Sequence, residues 1–254
     1  MIHIFRGTEP VKLGPIRTDR LATARKDVPA GAKPEVEDYD VVKKELFEMQ
    51  HRKCCYCGKL EEQAKYRDVE HYRPKAYYWW LGWTWDNLLF ACFECNREYK
   101  KDQFPLENGS TRLVAEEAPP SNEHPQLIDP CDHATDPIAE IEFRRERIQG
   151  KERWKPYGLT ERGSTTIAIC GLDRPGLLTS YTAHVIDVVR PKVDPILAAH
   201  RNGDVKEVVK MWERAKRALL HPAKEFRALS YDALVVLVPQ ALRERYSLLL
   251  LHPV

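Results

Sequence analysis

Long apolar runs are missing from this sequence. Nothing in its 254 residues approaches the ~20 consecutive apolar positions a helix needs to cross a bilayer. The opening Met-Ile-His-Ile-Phe-Arg-Gly-Thr-Glu-Pro lacks the basic-then-apolar layout of a secretory leader. An excess of charge is missing too: 40 basic residues face 38 acidic ones, and the formal net charge of +2 argues neither for nor against a polyanionic partner. Glycine is scarce, at 12 residues against 18 prolines, so many segments are extended and rigidly connected. With 43% hydrophobic and 31% charged residues, wholesale disorder and fibrous repeats are excluded. Cysteine is sparse and odd in number, 7 in all, which disfavours a secreted disulfide framework. These absences together predict a cytoplasmic chain with no membrane attachment.

What is present divides the chain. Residues 1–40 contain Pro10, Pro15, Pro29 and Pro34 without sustained periodicity, which predicts a surface arm with a short helical turn around residues 21–25. Asp40 is placed to cap a helix whose apolar positions Val41, Val42, Leu46 and Met49 follow the 3.6-residue spacing. Prolines at 105, 119, 120, 125, 130 and 137 predict an irregular connector. Ile141 and Phe143 then alternate with charged residues in a short strand candidate closed by Gly150. Residues 165–171 read as helix or strand running into a glycine turn, and 180–189 as a helix stopped near Pro191. Asp204 caps a helix with Val205, Val208, Val209, Trp212, Ala215 and Leu219 on one face. Further helices are expected over 223–228 and from Tyr231 onward, interrupted at Pro239. From Arg190 to the end there are 12 basic and 7 acidic residues, against 28 and 31 before it, so positive charge is displaced towards the tail. The domain plan is an arm over 1–40, a compact domain over 41–110, and a Pro-rich connector with a mainly helical region over 111–254.

The window from Cys54 to Asp102 carries the chemistry. Cys54-x-x-Cys57 and Cys92-x-x-Cys95 each offer two thiolates that wrap one face of a tetrahedral ion, and together they close a structural zinc site with no open position. Gly58 suits the tight turn of such a knuckle. Cys55 would ligate only with worse geometry, and Cys131 and Cys170 read as small core residues. Between the knuckles, Val69-Glu70-His71 reads as a strand end, with Asn87 and Asn96 following. Phosphodiester hydrolysis needs a water that loses a proton and a cation on the scissile phosphate. A neutral His71 is a natural base at pH 7, and Glu70 and Asn96 supply the oxygens a hard divalent ion prefers.

The order Cys-x-x-Cys, Glu-His-x-x-Pro, Asn-Leu, Cys-x-x-Cys-Asn, Lys resembles the HNH nuclease family, with its ββα-metal finger braced by zinc. More narrowly, residues 68–75 (Asp-Val-Glu-His-Tyr-Arg-Pro-Lys), the Tyr-Trp-Trp-Leu-Gly-Trp stretch before Trp85-Asp-Asn-Leu, Cys95-Asn-Arg-Glu-Tyr-Lys and Phe104-Pro-Leu are similar to the PtuB family. Its members are the HNH subunits of Septu and retron-associated anti-phage systems, working beside an ATPase, PtuA. The likeness is strong over residues 50–106, loose to about 175 and absent beyond. It implies His71 as general base, Glu70 and Asn96 as ligands of the catalytic metal, and Asn87 as the residue pinning the loop that orients His71. It also implies nucleic acid as substrate, DNA favoured and RNA open, a PtuA-like ATPase subunit, and in retron systems a reverse transcriptase with its nucleic-acid product. The fold class expected is α+β: a ββα-metal HNH finger braced by a four-cysteine zinc site within a mostly helical protein.

Two departures from the HNH pattern bear on the metal. Asn96 stands for the last His and Glu70 for the commoner Asp, so Mg²⁺ or Mn²⁺ is expected at the catalytic position rather than a softer ion. Arg73, Lys75, Lys100 and Lys101 are candidate phosphate ligands, Arg73 bidentately. The dense aromatic group from Tyr77 to Trp85 is read as core rather than as a base-stacking platform. Two other functions fit the same residues: a non-catalytic zinc module that binds nucleic acid or scaffolds a complex, and a stand-alone restriction-type endonuclease. The second would favour a recognisable DNA-reading domain, whereas the C-terminal third reads as amphipathic helices suited to packing on another protein.

Overall fold

The structure, a computed structural model, describes Met1, residues 3–28 and residues 34–252. The part of the arm holding Pro29 lies outside the described residues. The chain forms two units, Ile4–Thr135 and Asp136–Val254 with Met1–His3. Each combines helices with one two-stranded sheet, an α+β composition.

In the unit Ile4–Thr135, β1 (Arg67–His71) runs antiparallel to β2 (Leu88–Cys92), with Arg67 opposite Cys92 and His71 opposite Leu88. A π-type helix, Glu94–Lys100, follows β2 almost at once. Leu-Leu-Phe-Ala-Cys is apolar on both faces, so β2 is buried along its whole length and the unit packs around it. A 3₁₀ turn over Tyr39–Val42 leads into α2 (Lys43–Met49). The turn takes up Val41 and Val42, so Asp40 lies inside it instead of capping a helix. Val42 and Leu46 join Val69, Trp83, Leu88 and Phe90 in the core, which Leu13 and Val36 close from the N-terminal side.

The arm holds a helix, α1 (Leu13–Asp27), where only a turn over 21–25 was expected. Pro15 is no obstacle in the first turn, where backbone N–H groups have no helical partner to lose. The apolar stripe is faint because only Leu13 and Ala24 are buried. Ahead of α1, the Arg6 guanidinium donates to the carbonyls of Trp85 and Leu88, each at 2.6 Å, and of Asp86 at 3.1 Å. Trp85 Nε1 donates back to the Gly7 carbonyl at 2.9 Å. The proline-rich stretch packs into this unit as well: Tyr72 Oη donates to Leu127 O at 2.7 Å, and Glu123 receives Arg73 at 2.6 Å and the Tyr78 hydroxyl. Tyr78, Trp80, Trp83 and Trp85 are buried, so most of the aromatic group supplies core, while Tyr77 is half exposed.

The other unit begins with α3 (Pro137–Glu140), whose Asp136 cap accepts Ile138 N at 3.0 Å. Next comes a hairpin of β3 (Ile141–Ile148) and β4 (Lys151–Gly158). Its two-residue turn, Gln149-Gly150, has φ of 51° and 77°, the left-handed pair a tight hairpin requires. β4 escaped the sequence reading because Lys-Glu-Arg-Trp-Lys-Pro-Tyr-Gly alternates poorly and contains Pro156. α4 (Glu161–Ile169) resolves the helix-or-strand question at 165–171, capped by Thr160, which accepts Gly163 N at 3.0 Å. α5 (Pro175–His184) passes through a π turn, Val185–Val189, into α6 (Arg190–Arg201). Pro191 therefore does not end the helix; it sits in the first turn of α6, after wider bonds have changed the register.

Asp204 caps α7 (Val205–Leu219) by accepting Glu207 N at 3.0 Å. Val208, Trp212, Ala215 and Leu219 form its buried face, and Val205 and Val209 are exposed. The helix expected over 223–228 does not form: Phe226 has φ of 47°, with its ring edge-on to Tyr181 at 5.0 Å and His184 at 5.3 Å. Packing fixes that residue in the left-handed region, and α8 (Arg227–Leu237) starts after it. α9 (Gln240–Arg245) follows Pro239. Among the described residues no helix is long and apolar enough to cross a membrane.

Asp232 of α8 accepts Phe143 N at 2.7 Å. Burial pushes its carboxyl up from 3.8 to about 7. With the folded value raised, its contribution to stability is full below pH 3.8 and is lost as pH rises through about 7. Asp232→Asn keeps an acceptor and cannot ionise, so urea unfolding from about pH 4 to pH 8 is expected to favour the variant increasingly. A pH-independent difference between the two proteins would show that Asp232 ionises as readily folded as unfolded.

Candidate functional site

The site is assembled by pinning one loop to β2. After α2, His51 and Arg52 take left-handed φ of 51° and 64°, turning the chain back. The Gln50 side chain then acts as a strand residue: Nε2 donates to Phe90 O, and Oε1 accepts Phe90 N, each at 2.7 Å. Cys55 N adds a bond to the same carbonyl at 3.0 Å. Gly58, at φ 73°, closes the knuckle with its N–H on Cys54 O at 3.0 Å.

Held this way, Cys54 and Cys57 meet Cys92, the last residue of β2, and Cys95 on the helix after it. The four ligand atoms lie within 4.8 Å of one another and all four residues are buried. Cys57 Sγ and Cys92 Sγ are 3.9 Å apart. A tetrahedral ion with Zn–S near ~2.3 Å requires sulfurs ~3.8 Å apart, so this donor set could hold a metal such as zinc. Burial opposes ionisation of Cys54, but hydrogen bonds from Cys55, Cys57, Cys92 and Cys95 outweigh it and hold that thiol well below its ordinary range. Cys55 is outside the cluster.

Two charged pairs lock the helix Glu94–Lys100 onto β1. Asp68 and Glu70, two residues apart on β1, share a face, and the helix brings both Arg97 and Lys100 to it. Asp68 accordingly takes Arg97 bidentately, at 2.8 and 2.6 Å, while Lys100 Nζ meets Glu70 Oε1 at 2.6 Å. Lys100 Nζ also donates to His71 O at 3.0 Å, and Tyr56 Oη donates to Glu70 Oε1 at 3.0 Å. The side chains of Glu70 and Lys100 are 1% and 0% exposed, so this pair lies in the interior. Burial pushes the Glu70 carboxyl up against the pull of Lys100 and Tyr56.

His71 ends β1 and is buried. Its Nε2 is 2.9 Å from Gly82 O. A carbonyl only accepts, so Nε2 carries the proton and Nδ1 keeps the lone pair. The Tyr39 ring lies edge-on to the imidazole with centroids 4.6 Å apart. Burial, the largest influence, drives the imidazolium down to about 3, so His71 is neutral throughout the physiological range. Asn87 spans the β1–β2 connection: Oδ1 accepts Arg73 N at 2.8 Å, and Nδ2 donates to Arg73 O at 3.0 Å and Leu81 O at 3.2 Å.

Beside this frame is a cavity of about 610 Å³, lined by Tyr39, Asp68, Lys75, Asn96 and Arg97 with acidic residues of the 37–40 segment. Asn96 thus lines a cavity that Glu70, His71 and Asn87 do not line; the Tyr39 ring, packed on the His71 imidazole, does line it. Glu70, read from the sequence as sharing a cation with Asn96, is paired with Lys100 and Tyr56 in this structure. The carboxylates that share the cavity with Asn96 are Asp68, on β1, and Glu37, Asp38 and Asp40. Of the proposed phosphate ligands, Lys100 is buried, and Arg73 turns to Glu123 at 2.6 Å with its side chain 12% exposed. Lys75 lines the cavity and donates to Val36 O at 3.0 Å and Tyr39 Oη at 3.2 Å. Lys101 is exposed. The sequence reading missed Asp68, Arg97 and Tyr39. For the first two a signal existed: acids at 68 and 70 on one strand face, bases at 97 and 100 on one helix face.

No family model matches the chain. Over 196 residues it is 32% identical to Septu protein PtuB of Bacillus mycoides (strain KBAB4), covering 65% of each chain. Over 56 residues it is 46% identical to Septu protein PtuB of Bacillus thuringiensis, 22% of each chain. The chain thus spans 65% of the longer-matching relative's length, and what it is similar to over that span is Septu protein PtuB.

Proposed function

We propose that this chain is a metal-dependent HNH endonuclease acting in a Septu-type anti-phage defence complex beside a PtuA-like ATPase subunit. The observation that carries the reading is His71: a neutral imidazole at a strand end, its Nε2 fixed on Gly82 O and its Nδ1 lone pair uncommitted to that bond. The order β1, β2, helix Glu94–Lys100, with cysteines at two of the junctions, supports a ββα finger braced by zinc. Similarity to PtuB supports the defence role and the ATPase partner. DNA is the favoured substrate and RNA stays open.

In this mechanism His71 Nδ1 takes the proton of the attacking water, while Asn87 holds the loop that carries Gly82 and so the ring's orientation. Asn96 would hold Mg²⁺ or Mn²⁺ together with a carboxylate, either Glu70 released from Lys100 or Asp68 released from its bidentate pair with Arg97, and the ion would supply charge for the scissile phosphate and its leaving oxygen. Lys75 and Arg97 add positive charge at the cavity wall. While paired, Glu70 and Lys100 act from behind, fixing the helix that presents Asn96.

His71→Ala is expected to lower Mg²⁺- or Mn²⁺-dependent cleavage of plasmid, single-stranded DNA or transfer RNA by about 10²–10⁴-fold with zinc content unchanged. Unchanged cleavage would remove His71 from the mechanism. The burial of His71 favours a second reading, a non-catalytic zinc scaffold, which predicts no metal-dependent cleavage by the wild-type chain with any of the three substrates.

A further inference from the structure

We propose that the β3–β4 hairpin is a basic ribbon that docks on the backbone of a B-form DNA duplex. The choice of partner rests on the nuclease reading; the surface itself does not. Residues 141–158 carry six basic side chains (Arg144, Arg145, Arg147, Lys151, Arg153, Lys155) and three acidic ones (Glu142, Glu146, Glu152). The register sets Glu146 opposite Arg153 and Arg147 opposite Glu152, two ready cross-strand ion pairs. Neither forms. Glu146 accepts the Tyr157 hydroxyl, and Glu152 pairs with Arg190 and accepts Trp154 Nε1 at 2.8 Å. Glu142 is taken by Arg144. Arg145, Arg147, Lys151, Arg153 and Lys155 are left in no ion pair among the described residues. Arg144 also stands directly opposite Lys155, a like-charge pair that weakens a ladder on its own.

The ribbon's shape suits the partner. Ile141, Phe143 and Trp154 bury its base against α5 and α8, while no residue from Arg144 to Arg153 is buried. The distal half is therefore largely open to solvent, Glu152 with its partner Arg190 being the exception, and Arg145, Arg147 and Lys151 owe their charge to no packing requirement. Eight residues per strand at ~3.4 Å each give a ribbon ~27 Å long, with strands ~4.8 Å apart. Such a two-stranded ribbon fits the ~12 Å major groove of B-DNA, with phosphates on both rims. The deep, narrow groove of A-form RNA does not admit it. Contact through phosphates is independent of sequence and releases counterions, so it carries a salt signature that an acidic protein face does not impose on DNA binding.

The test uses the full chain and a fluorescein-labelled mixed-sequence DNA duplex, with anisotropy read from ~50 to ~200 mM salt. The triple variant Arg145→Glu, Arg147→Glu, Lys151→Glu is expected to weaken binding at least tenfold. It should also lower the slope of log affinity against log salt by about 2–3, at ~0.9 per lost phosphate contact. Arg145→Lys with Arg147→Lys should retain binding, and far-UV circular dichroism checks the fold of both. Equal affinity and slope for wild type and the triple variant overturn the proposal, as does a wild-type chain that binds no duplex. Loss of ATPase-subunit association with duplex binding intact also overturns it, since the ribbon would then face protein. His71→Ala should bind the duplex like wild type while losing cleavage. Binding without any cleavage by wild type would sink the nuclease reading and leave the ribbon standing.

Discussion

The zinc proposed for the four-cysteine cluster is expected to be lost in Cys92→Ser, and with it the packing of β2 against the loop after α2. The physical reason lies in what the four sulfurs join: Cys54 and Cys57 sit on the loop after α2, Cys92 ends β2, and Cys95 lies in the first turn of the helix that carries Asn96. Apparent binding free energies of structural zinc sites are on the order of 10 kcal/mol, comparable with the ~5–15 kcal/mol stability of a whole domain. Losing the ion would remove one tie between three elements and leave the Gln50 and Cys55 bonds to Phe90, the two charged pairs on β1 and the core to hold them. Trp83 and Trp85 report on that core, so their fluorescence and near-ultraviolet circular dichroism should move towards unfolded-like values. Metal analysis of the purified variant gives the direct check: a full equivalent of zinc retained would contradict the four-sulfur site. Chelation of wild type should reproduce the variant's spectra.

Lys100→Met carries the second large effect. Removing one partner of a buried pair strands the other charge, at a cost of about 3–5 kcal/mol. Here Glu70 would lose the ammonium at 2.6 Å and keep only the Tyr56 hydroxyl on the same oxygen. Burial already pushes the Glu70 carboxyl up, and without Lys100 it rises further. A raised folded value means stability is lost as pH increases, so the variant should be weakest in alkaline buffer and recover towards acid. Glu70→Gln combined with Lys100→Met should restore much of the loss, because no charge is left buried. Denaturant unfolding of the single and double variants measures both effects. A single variant as stable as wild type at pH 8 would show that the pair is solvated rather than buried.

Much of the first unit was legible before its structure. The two Cys-x-x-Cys pairs, the Val-Glu-His strand end and the apolar Leu-Leu-Phe-Ala-Cys strand are local patterns, each set by the geometry of a few neighbouring residues. Asp204 was legible as a cap for the same reason. Two failures share one cause. α1 was hidden because its apolar face is nearly absent, and β4 because its residues alternate poorly around a proline; each is held by partners elsewhere in its own unit. Phe226 is a further case, its left-handed backbone fixed by the rings of Tyr181 and His184 rather than by any preference of its own.

Donor types and spacing, read along the chain, were enough to nominate a zinc knuckle, a base and an amide on one short segment. The role of each carboxylate was not in that information. Asp68 and Glu70 have the same charge and stand two residues apart, yet one lines a cavity and the other is sealed against Lys100. That difference depends on where the helix Glu94–Lys100 lies across β1, on the ring of Tyr39, and on the depth at which each oxygen is cut off from water. Such quantities exist only once the chain has folded, because desolvation and pairing are properties of a place in space and not of a residue.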